Sequence, residues 1–385
     1  MNNLKGKKLL VFTGGGLAPA LNPTLYGVIR EAQRQKMKIL GGLYGWACLT
    51  EKGKSINLTA FNPKPLKDIG GTFLRSSRTN PMCESGGLEV VLDKLKQYKA
   101  DYVIAIGGDD TLGAANQLFK KSKVKIVGIP KTIDNDLQGT YWSPGFPSAA
   151  YHTANFCEEI KIDAAYTLSR VFIIEVLGCQ SGWLAASGAY GSADVIIPPE
   201  KKVKLKKVLF LIEKKYKENG NFATVVLSEE AKFDKLKAFD QNQCDTFKVK
   251  RKNFIALGLM QKVKEELNIS CKALFPGNFM QTGSPIKIDA TTACSLGHYS
   301  VHMLKEDKFG RMARIERTKK PDAIQISDIP LNKAVDEEKV LDKTYFDFEK
   351  CQVKKKYLDY MEPILGRFKE KHQSYYKLMQ RVVKY

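Results

Sequence analysis

Several things are scarce in this 385-residue chain, and each absence narrows the field. No run of about 18 apolar residues occurs, so no membrane-spanning helix is expected. Eight cysteines (48, 83, 157, 179, 244, 271, 294, 351) form no C-x-x-C pair, and several sit in apolar stretches. They read as reduced, buried thiols rather than a disulfide framework or a metal clip. The four histidines show no metal-ligand spacing, which argues against a zinc site. No short internal repeat and no low-complexity tract is present. Residues 1–8 run into a strand-like stretch with no room for a signal peptide, so a cytoplasmic protein is expected.

Acidic residues are also in deficit: 41 against 62 basic ones, a net charge of +21. A basic chain invites a nucleic-acid reading. The lysines, however, are spread along the sequence, mostly in helical segments such as 201–217 and 354–371, and no nucleic-acid module is recognisable. The charge is expected to lie on solvated helix faces and to attract phosphorylated substrates. Neither a nucleic-acid nor a membrane partner is expected.

What is present is an alternation of short apolar strands and amphipathic helices. Strand-like runs cover residues 8–13, 38–44, 101–106, 123–129, 170–177, 194–197 and 222–227. Helical spacing covers 22–35, 112–120 and 182–191. Such alternation implies parallel sheets with helices on both faces, and sites in these sheets lie at the carboxyl ends of strands. The last 60 or so residues are more charged and are expected to be helical, wrapping a second domain.

Three strand-end clusters carry the chemistry. The first is Thr13-Gly14-Gly15-Gly16-Leu17-Ala18-Pro19-Ala20-Leu21-Asn22. Three glycines after a strand either serve tight strand-to-helix packing or let backbone N–H groups approach an anion at a helix start. The second is Gly107-Gly108-Asp109-Asp110-Thr111. One acidic or hydroxyl residue would cap a helix. Two adjacent carboxylates beside a glycine pocket suit a hard cation that also binds phosphate oxygens, as Mg²⁺ does. The third is Pro130-Lys131-Thr132-Ile133-Asp134-Asn135-Asp136. A turn could use the Asn and Asp structurally, but it does not need Lys, Thr and two Asp together. One Asp can take a proton from an attacking hydroxyl, another can hold a metal, and the lysine can neutralise a phosphate.

These clusters, with Gly70-Gly71-Thr72-Phe73-Leu74-Arg75-Ser76-Ser77-Arg78 upstream and Gly277 to Gly283-Ser284-Pro285 downstream, follow one another as in the phosphofructokinase family. The resemblance runs from about residue 7 to about residue 330. It implies two similar three-layer α/β domains with mostly parallel sheets and an active site in the cleft between them. The donor domain would comprise residues 1–146 plus about 280–340, and the acceptor domain about 147–279 plus about 341–385. The family transfers a phosphoryl group, with Mg²⁺, to the 1-hydroxyl of fructose 6-phosphate, usually as a homodimer or homotetramer.

By position, Asp134 resembles the general base and Lys131 joins it as a catalytic residue. Asp109 and Asp136 resemble the metal-side carboxylates. Gly15, Arg78, Asp110 and Thr111 fall on the donor side. Thr132, Arg170, Leu177, Gly178, Glu229, Lys272, Asn278 and Gln281 fall on the acceptor side, with Arg170 implied to reach the sugar phosphate of a neighbouring subunit. ATP-using members resemble GGDG where this chain has Asp110, and carry a small residue where it has Lys131. The pair Asp110 and Lys131 is therefore similar to the pyrophosphate-using type.

The acceptor is less firmly specified. Where the family resembles G-H-x-Q-R-G-G-S-P, this chain has Asn278 for the histidine and Gln281 for the arginine. A further arginine is Lys272, and an M-G-R triplet is Leu177-Gly178-Cys179. Neutral amides cannot supply the charge-assisted fork that arginine offers a phosphate. The acceptor is then fructose 6-phosphate, or an unphosphorylated polyol such as myo-inositol. A non-catalytic binding member is the third reading, opposed by the intact base and both metal-side acids. Nucleotide-type allostery is not expected, because one effector-site arginine position is Tyr26, although Arg30 remains.

Overall fold

In a computed structural model, residues 3–165, 169–236, 254–318, 324–335 and 337–368 are described. The chain divides into two compact units, Met1–Ala149 with Gln281–Lys339 and Ala150–Met280 with Val340–Tyr385.

The first unit begins with β1 (Lys8–Thr13), α1 (Leu21–Arg34), β2 (Lys38–Gly42), β3 (Ser55–Asn57), α2 (Gly87–Tyr98), β4 (Tyr102–Gly107), α3 (Asp109–Ser122) and β5 (Ile126–Pro130). The unit boundary falls within α4 (Phe146–Asp163). The second unit contains β6 (Val171–Val176), α5 (Trp183–Ser187), β7 (Val195–Ile197), α6 (Leu205–Glu218), β8 (Ala223–Ser228), α7 (Ile255–Leu267) and β9 (Cys271–Leu274). The chain returns through α8 (Gly277–Thr282) to α9 (Lys287–Lys305), β10 (Arg311–Arg317), β11 (Ile324–Pro330) and α10 (Asn332–Val335). It ends in the second unit with β12 (Phe346–Asp347), β13 (Gln352–Val353) and α11 (Lys355–Leu365).

Seven strands form the first unit's sheet in the order β11-β10-β5-β4-β1-β2-β3. The central strands read KLLVFT, YVIAIG and IVGIP and are almost wholly buried, the pattern of parallel strands covered on both faces. Antiparallel strands β3 and β11 close the two edges. The second unit has a four-stranded sheet, β7-β8-β6-β9, with every pairing parallel. Each sheet has its own apolar core. Leu10, Phe12, Val103 and Leu112 lie in the first, and Ile173, Val208, Val225 and Leu259 in the second.

Two sequence expectations need correction. The C-terminal region is not simply helical. β11 joins the first sheet, and β12 pairs with β13 in a small hairpin before α11. Phe346, at the start of that hairpin, is buried, so local apolar burial outweighs the charged, helix-like composition. Nor are all the thiols buried: Cys83 and Cys179 are exposed, while Cys48, Cys157, Cys271 and Cys351 are buried and free. Cys244 lies outside the described residues.

The helix that follows the first glycine cluster is fixed by an unusually close crossing. A Cβ on Gly27 of α1 would lie 2.2 Å from the Cys294 carbonyl oxygen, and one on Gly297 of α9 would lie 2.4 Å from the Thr24 carbonyl oxygen. Asp289, fully buried in the first turn of α9, accepts from the Gly145 and Ser148 N–H groups (3.0 and 3.1 Å) and so caps α4. Overpacking of such a contact costs about 1–3 kcal/mol. Gly297→Ala should therefore lower the thermal midpoint. Gly113→Ala, inside α3 with open space around its added Cβ, should raise it by removing about 0.4–1 kcal/mol of unfolded-state freedom. Calorimetric melts of the two variants check the opposite signs.

Candidate functional site

The carboxyl ends of β1, β4 and β5 lie side by side, because these three strands are parallel neighbours in the first unit's sheet. All three clusters picked out in the sequence are thereby brought together. The Gly14 N–H donates to the Ile106 carbonyl (2.8 Å) and the Lys131 N–H to the Gly107 carbonyl (2.9 Å).

The glycines serve more than one purpose here. A Cβ on Gly14 would meet the Thr111 hydroxyl at 2.5 Å, and one on Gly107 would meet Thr111 Cβ at 2.4 Å. The hollow they leave is filled by the Thr111 side chain, buried at the start of α3. The Gly15 N–H is engaged by the Ser77 carbonyl (3.1 Å), and the Ser76 hydroxyl donates to the Gly15 carbonyl (2.5 Å). What lies over the loop is a side-chain cation. Lys131 Nζ donates to the Gly16 carbonyl at 2.5 Å, and a Cβ on Gly15 would sit 3.5 Å from that nitrogen. Gly15 has φ +80°. It suits the turn and leaves room for the ammonium.

Lys131 is only 3% exposed. Burial pulls its pKa down to about 8, against the attraction of Asp134 and Asp136. Asp109 and Asp110 occupy the first turn of α3, where the helix dipole favours negative charge. The carboxyl of Asp109 is nonetheless pushed up to about 6, first by burial and then by repulsion from Asp136, Asp110 and Glu338. Asp136 is also raised, chiefly by burial; its backbone, the Thr132 hydroxyl and Lys131 pull the other way. Its Oδ1 is buried and has no hydrogen-bond partner. Asp136 with its buried, orphaned oxygen, next to the more exposed carboxylate of Asp109, fits a divalent cation. Among the described residues no group of three or more His, Cys, Asp or Glu could hold a metal ion by itself. One or two carboxylates are the protein ligands typical of Mg²⁺, which takes its other ligands from phosphate and water.

The turn carrying Asp134 is held tightly. The Asp134 N–H donates to Thr132 Oγ1 (3.0 Å), and Asn135 takes φ +55°, with its Oδ1 accepting from the Ser143 N–H (3.3 Å). Arg78 is exposed just beyond Ser77. Sequence reasoning missed Glu338 and Lys339. The Lys339 N–H donates to the Asp136 carbonyl (2.6 Å). Its ammonium donates to the Tyr141 carbonyl (2.6 Å) and reaches Asn135 Oδ1 (3.4 Å). Burial lowers its pKa to about 7. Nothing in the sequence signals this clamp, which spans some 200 residues.

The acceptor-side residues separate. In the second unit, Leu177 and Gly178 follow β6 and Glu229 follows β8. The Cys179 N–H donates to Glu229 Oε1 (3.4 Å), and a Cβ on Gly277 would press against Leu177 at 3.0 Å. Asn278 is exposed on α8. Arg170, however, precedes β6 at its opposite end, and Lys272 pairs with Phe172 near the same end. Strand rise puts that end roughly 20 Å from Gly178. Arg170 is 8% exposed, lies over the Phe172 ring, and has an Nε without a partner. Gln281 belongs to the first unit, where a Cβ on Gly16 would be 3.8 Å from its amide nitrogen.

Fold and site together define the class: an α/β phosphotransferase, with a buried cation and paired carboxylates at the ends of parallel strands. The phosphofructokinase family model matches residues 8–304, and the chain belongs to the phosphofructokinase family, a kinase-type family of transferases. It is 32% identical over 309 residues to the pyrophosphate–fructose 6-phosphate 1-phosphotransferase of Dictyoglomus thermophilum, covering 80% of this chain and 88% of that one. It is 31% identical over 314 residues to the ATP-dependent 6-phosphofructokinase of Persephonella marina, covering 81% and 91%. The fold matches the pyrophosphate-dependent phosphofructokinase of Nitrosospira multiformis with a TM-score of 0.83, at 23% identity and 94% and 93% coverage. Among the described residues no helix is long and apolar enough to cross a membrane.

The crowded carboxylates have a consequence for stability. Asp109 binds a proton more tightly in the folded chain (about 6) than in the unfolded one (3.8). Its contribution to stability falls as pH rises through that window and stays lost at about pH 7. Asp109→Asn should raise the thermal midpoint at about pH 7 and lose that advantage toward about pH 4, while losing phosphoryl transfer. Melts across pH, paired with activity, check both halves.

Proposed function

We propose that the chain transfers a phosphoryl group from pyrophosphate to O1 of fructose 6-phosphate, with Mg²⁺ held by Asp109 and Asp136. The carrying observation is the buried Lys131 ammonium on the glycine loop, facing the carboxylates of the third cluster. A buried cation of this kind calls for an anion, and a free pyrophosphate has no nucleoside to anchor it. Asp110, in the first turn of α3, puts a carboxylate on the same side, where it repels a nucleotide's inner phosphate. Relatives bearing either donor's name occur at similar identity, so the donor reading rests on these two side chains.

In this reading Asp134 accepts the proton from the acceptor hydroxyl. The oxygen forms its bond to the terminal phosphorus, the bridging P–O bond breaks, and inorganic phosphate leaves. Lys131 neutralises the donor, Arg78 grips the transferred group, and Thr132 and Glu229 orient the acceptor's hydroxyls. Mg²⁺, when bound, offsets charge on the donor oxygens. Lys339 and Asn135 hold the turn so that Asp134 and Asp136 keep their aim. Since Lys131 titrates low, the Michaelis constant for pyrophosphate should rise as pH passes through about 8. Lys131→Arg should flatten that rise, and Lys131→Met should raise the constant at every pH, by a factor set by about 1.5–3 kcal/mol for one charged hydrogen bond. Robust turnover with ATP and none with pyrophosphate would sink the donor assignment.

For the acceptor, Arg170 and Lys272 are the cations proposed for the 6-phosphate. Their distance along the strands from Leu177, Gly178 and Glu229 fits contacts with a sugar phosphate of a neighbouring subunit, in a homodimer or homotetramer. One observation favours the second reading, an unphosphorylated polyol such as myo-inositol. The acceptor-side residues gathered at the strand carboxyl ends of the second unit (Leu177, Gly178, Glu229, Asn278) include no cation. Arg170→Ala decides between them. With fructose 6-phosphate as substrate its Michaelis constant should rise by the factor for about 1.5–3 kcal/mol, whereas a polyol's should not move. Asp134→Asn should abolish transfer to either acceptor, a loss of about 10²–10⁴-fold.

A further inference from the structure

Beyond the residues already assigned, one pair at the rim of the donor loop is held in a way that local folding does not require. Tyr44 and Arg75 are both non-glycine residues at φ +63°, a conformation that is unfavourable for a side chain bearing a Cβ. They are 31 residues apart and bonded to each other. The Arg75 guanidinium donates to the Tyr44 hydroxyl through Nη1, and its carbon lies 5.3 Å from the centre of the Tyr44 ring. Both side chains are solvent-exposed, Tyr44 at 41%.

Their backbones are tied to the glycine loop on either side. Thr13 Oγ1 donates to the Arg75 carbonyl (3.0 Å), Ser76 Oγ to Gly15, and Ser77 Oγ to the Tyr44 carbonyl (2.6 Å). Gly45, next to Tyr44, packs so closely that a Cβ would lie 2.9 Å from the Thr13 carbonyl oxygen and 3.1 Å from Gly14 Cα. The backbone that carries this exposed guanidinium is thus fixed beside the loop over which Lys131 lies, and the guanidinium itself is held on Tyr44. Lys131 Nζ is already engaged with the Gly16 carbonyl, and Lys339 Nζ with Tyr141 and Asn135.

We propose that Arg75 is a donor-binding residue: its guanidinium, pre-set by Tyr44, takes a phosphate of the donor with the bidentate geometry that lysine cannot offer. Tyr44 is a positioning residue, lowering the ordering that binding would otherwise require. The inference rests on the reading of pyrophosphate as donor.

The strained backbone supplies the test. Arg75→Gly removes the side chain at a position where glycine is the favoured residue, so its thermal midpoint should stay level or rise. Pyrophosphate binding, measured by titration calorimetry without acceptor, should weaken at least about tenfold, the loss of one charge-assisted bond. The kinetic loss should fall on the Michaelis constant for pyrophosphate rather than on kcat. Arg75→Lys should recover part of the affinity. Tyr44→Leu should weaken binding too, and add little to Arg75→Gly because the two act as a unit. Unchanged pyrophosphate affinity in a well-folded Arg75→Gly overturns the inference and leaves the donor reading intact. A wild-type enzyme that uses ATP alone overturns the donor reading. Arg75→Gly is then scored on ATP, and an unchanged Michaelis constant there overturns this inference as well.

Discussion

The strand-end site of the first unit is organised around one buried ammonium group. Desolvating a lysine is costly unless charge or carbonyl oxygens surround it, and Lys131 meets that condition through the fold itself. Its backbone continues β5, its amide is tied to the end of β4, and its side chain crosses to the loop after β1. The same constraint explains why glycine is needed at position 15, why Asp134 and Asp136 follow Lys131 so closely, and why the three strands must be neighbours. In the proposed reading, a cation so placed is what attracts a phosphate.

Repulsion balances that attraction. Burial raises Asp109 and Asp136, and repulsion adds to it, from Asp136, Asp110 and Glu338 on Asp109 and from Glu338 on Asp136. Such crowding destabilises the fold and, in the proposed reading, would be relieved by a bound cation, which is how binding sites commonly trade stability for function. Lys339 sits behind this cluster as a brace. It reaches the turn from the far end of the sequence, and so joins the unit's C-terminal segment to the residues that would do the chemistry.

Much of this was legible in the sequence. Strand runs such as 8–13 and 101–106 are apolar and short, and their glycine ends mark where the sheet stops. Helix α3 begins at Asp109 rather than at the expected residue 112, because the carboxylates occupy its first turn instead of preceding it. Lys339 was not legible, since no spacing rule links residues two hundred apart. Gln281 was placed on the acceptor side by its motif although the expected domain division already put about 280–340 with the first unit, and it lies near Gly16. Arg170 and Lys272 kept their places in the motif order, but register sets them at the far end of the strands. The Tyr44–Arg75 pair was invisible, because Tyr44 ends a strand-like run, Arg75 sits inside the Gly70–Arg78 motif, and no spacing rule links the two.

The hollow shared by Gly14, Gly107 and Thr111 has a further consequence. Three residues, from the loop after β1, the end of β4 and the start of α3, share a volume that admits one side chain. A larger residue at 14 or 107 fits only if position 111 shrinks, and a bulkier residue at 111 has no glycine left to displace. Within a population of descendants these three positions are bound to change in concert or to stay as they are. A drift of any one of them marks a loop that has moved.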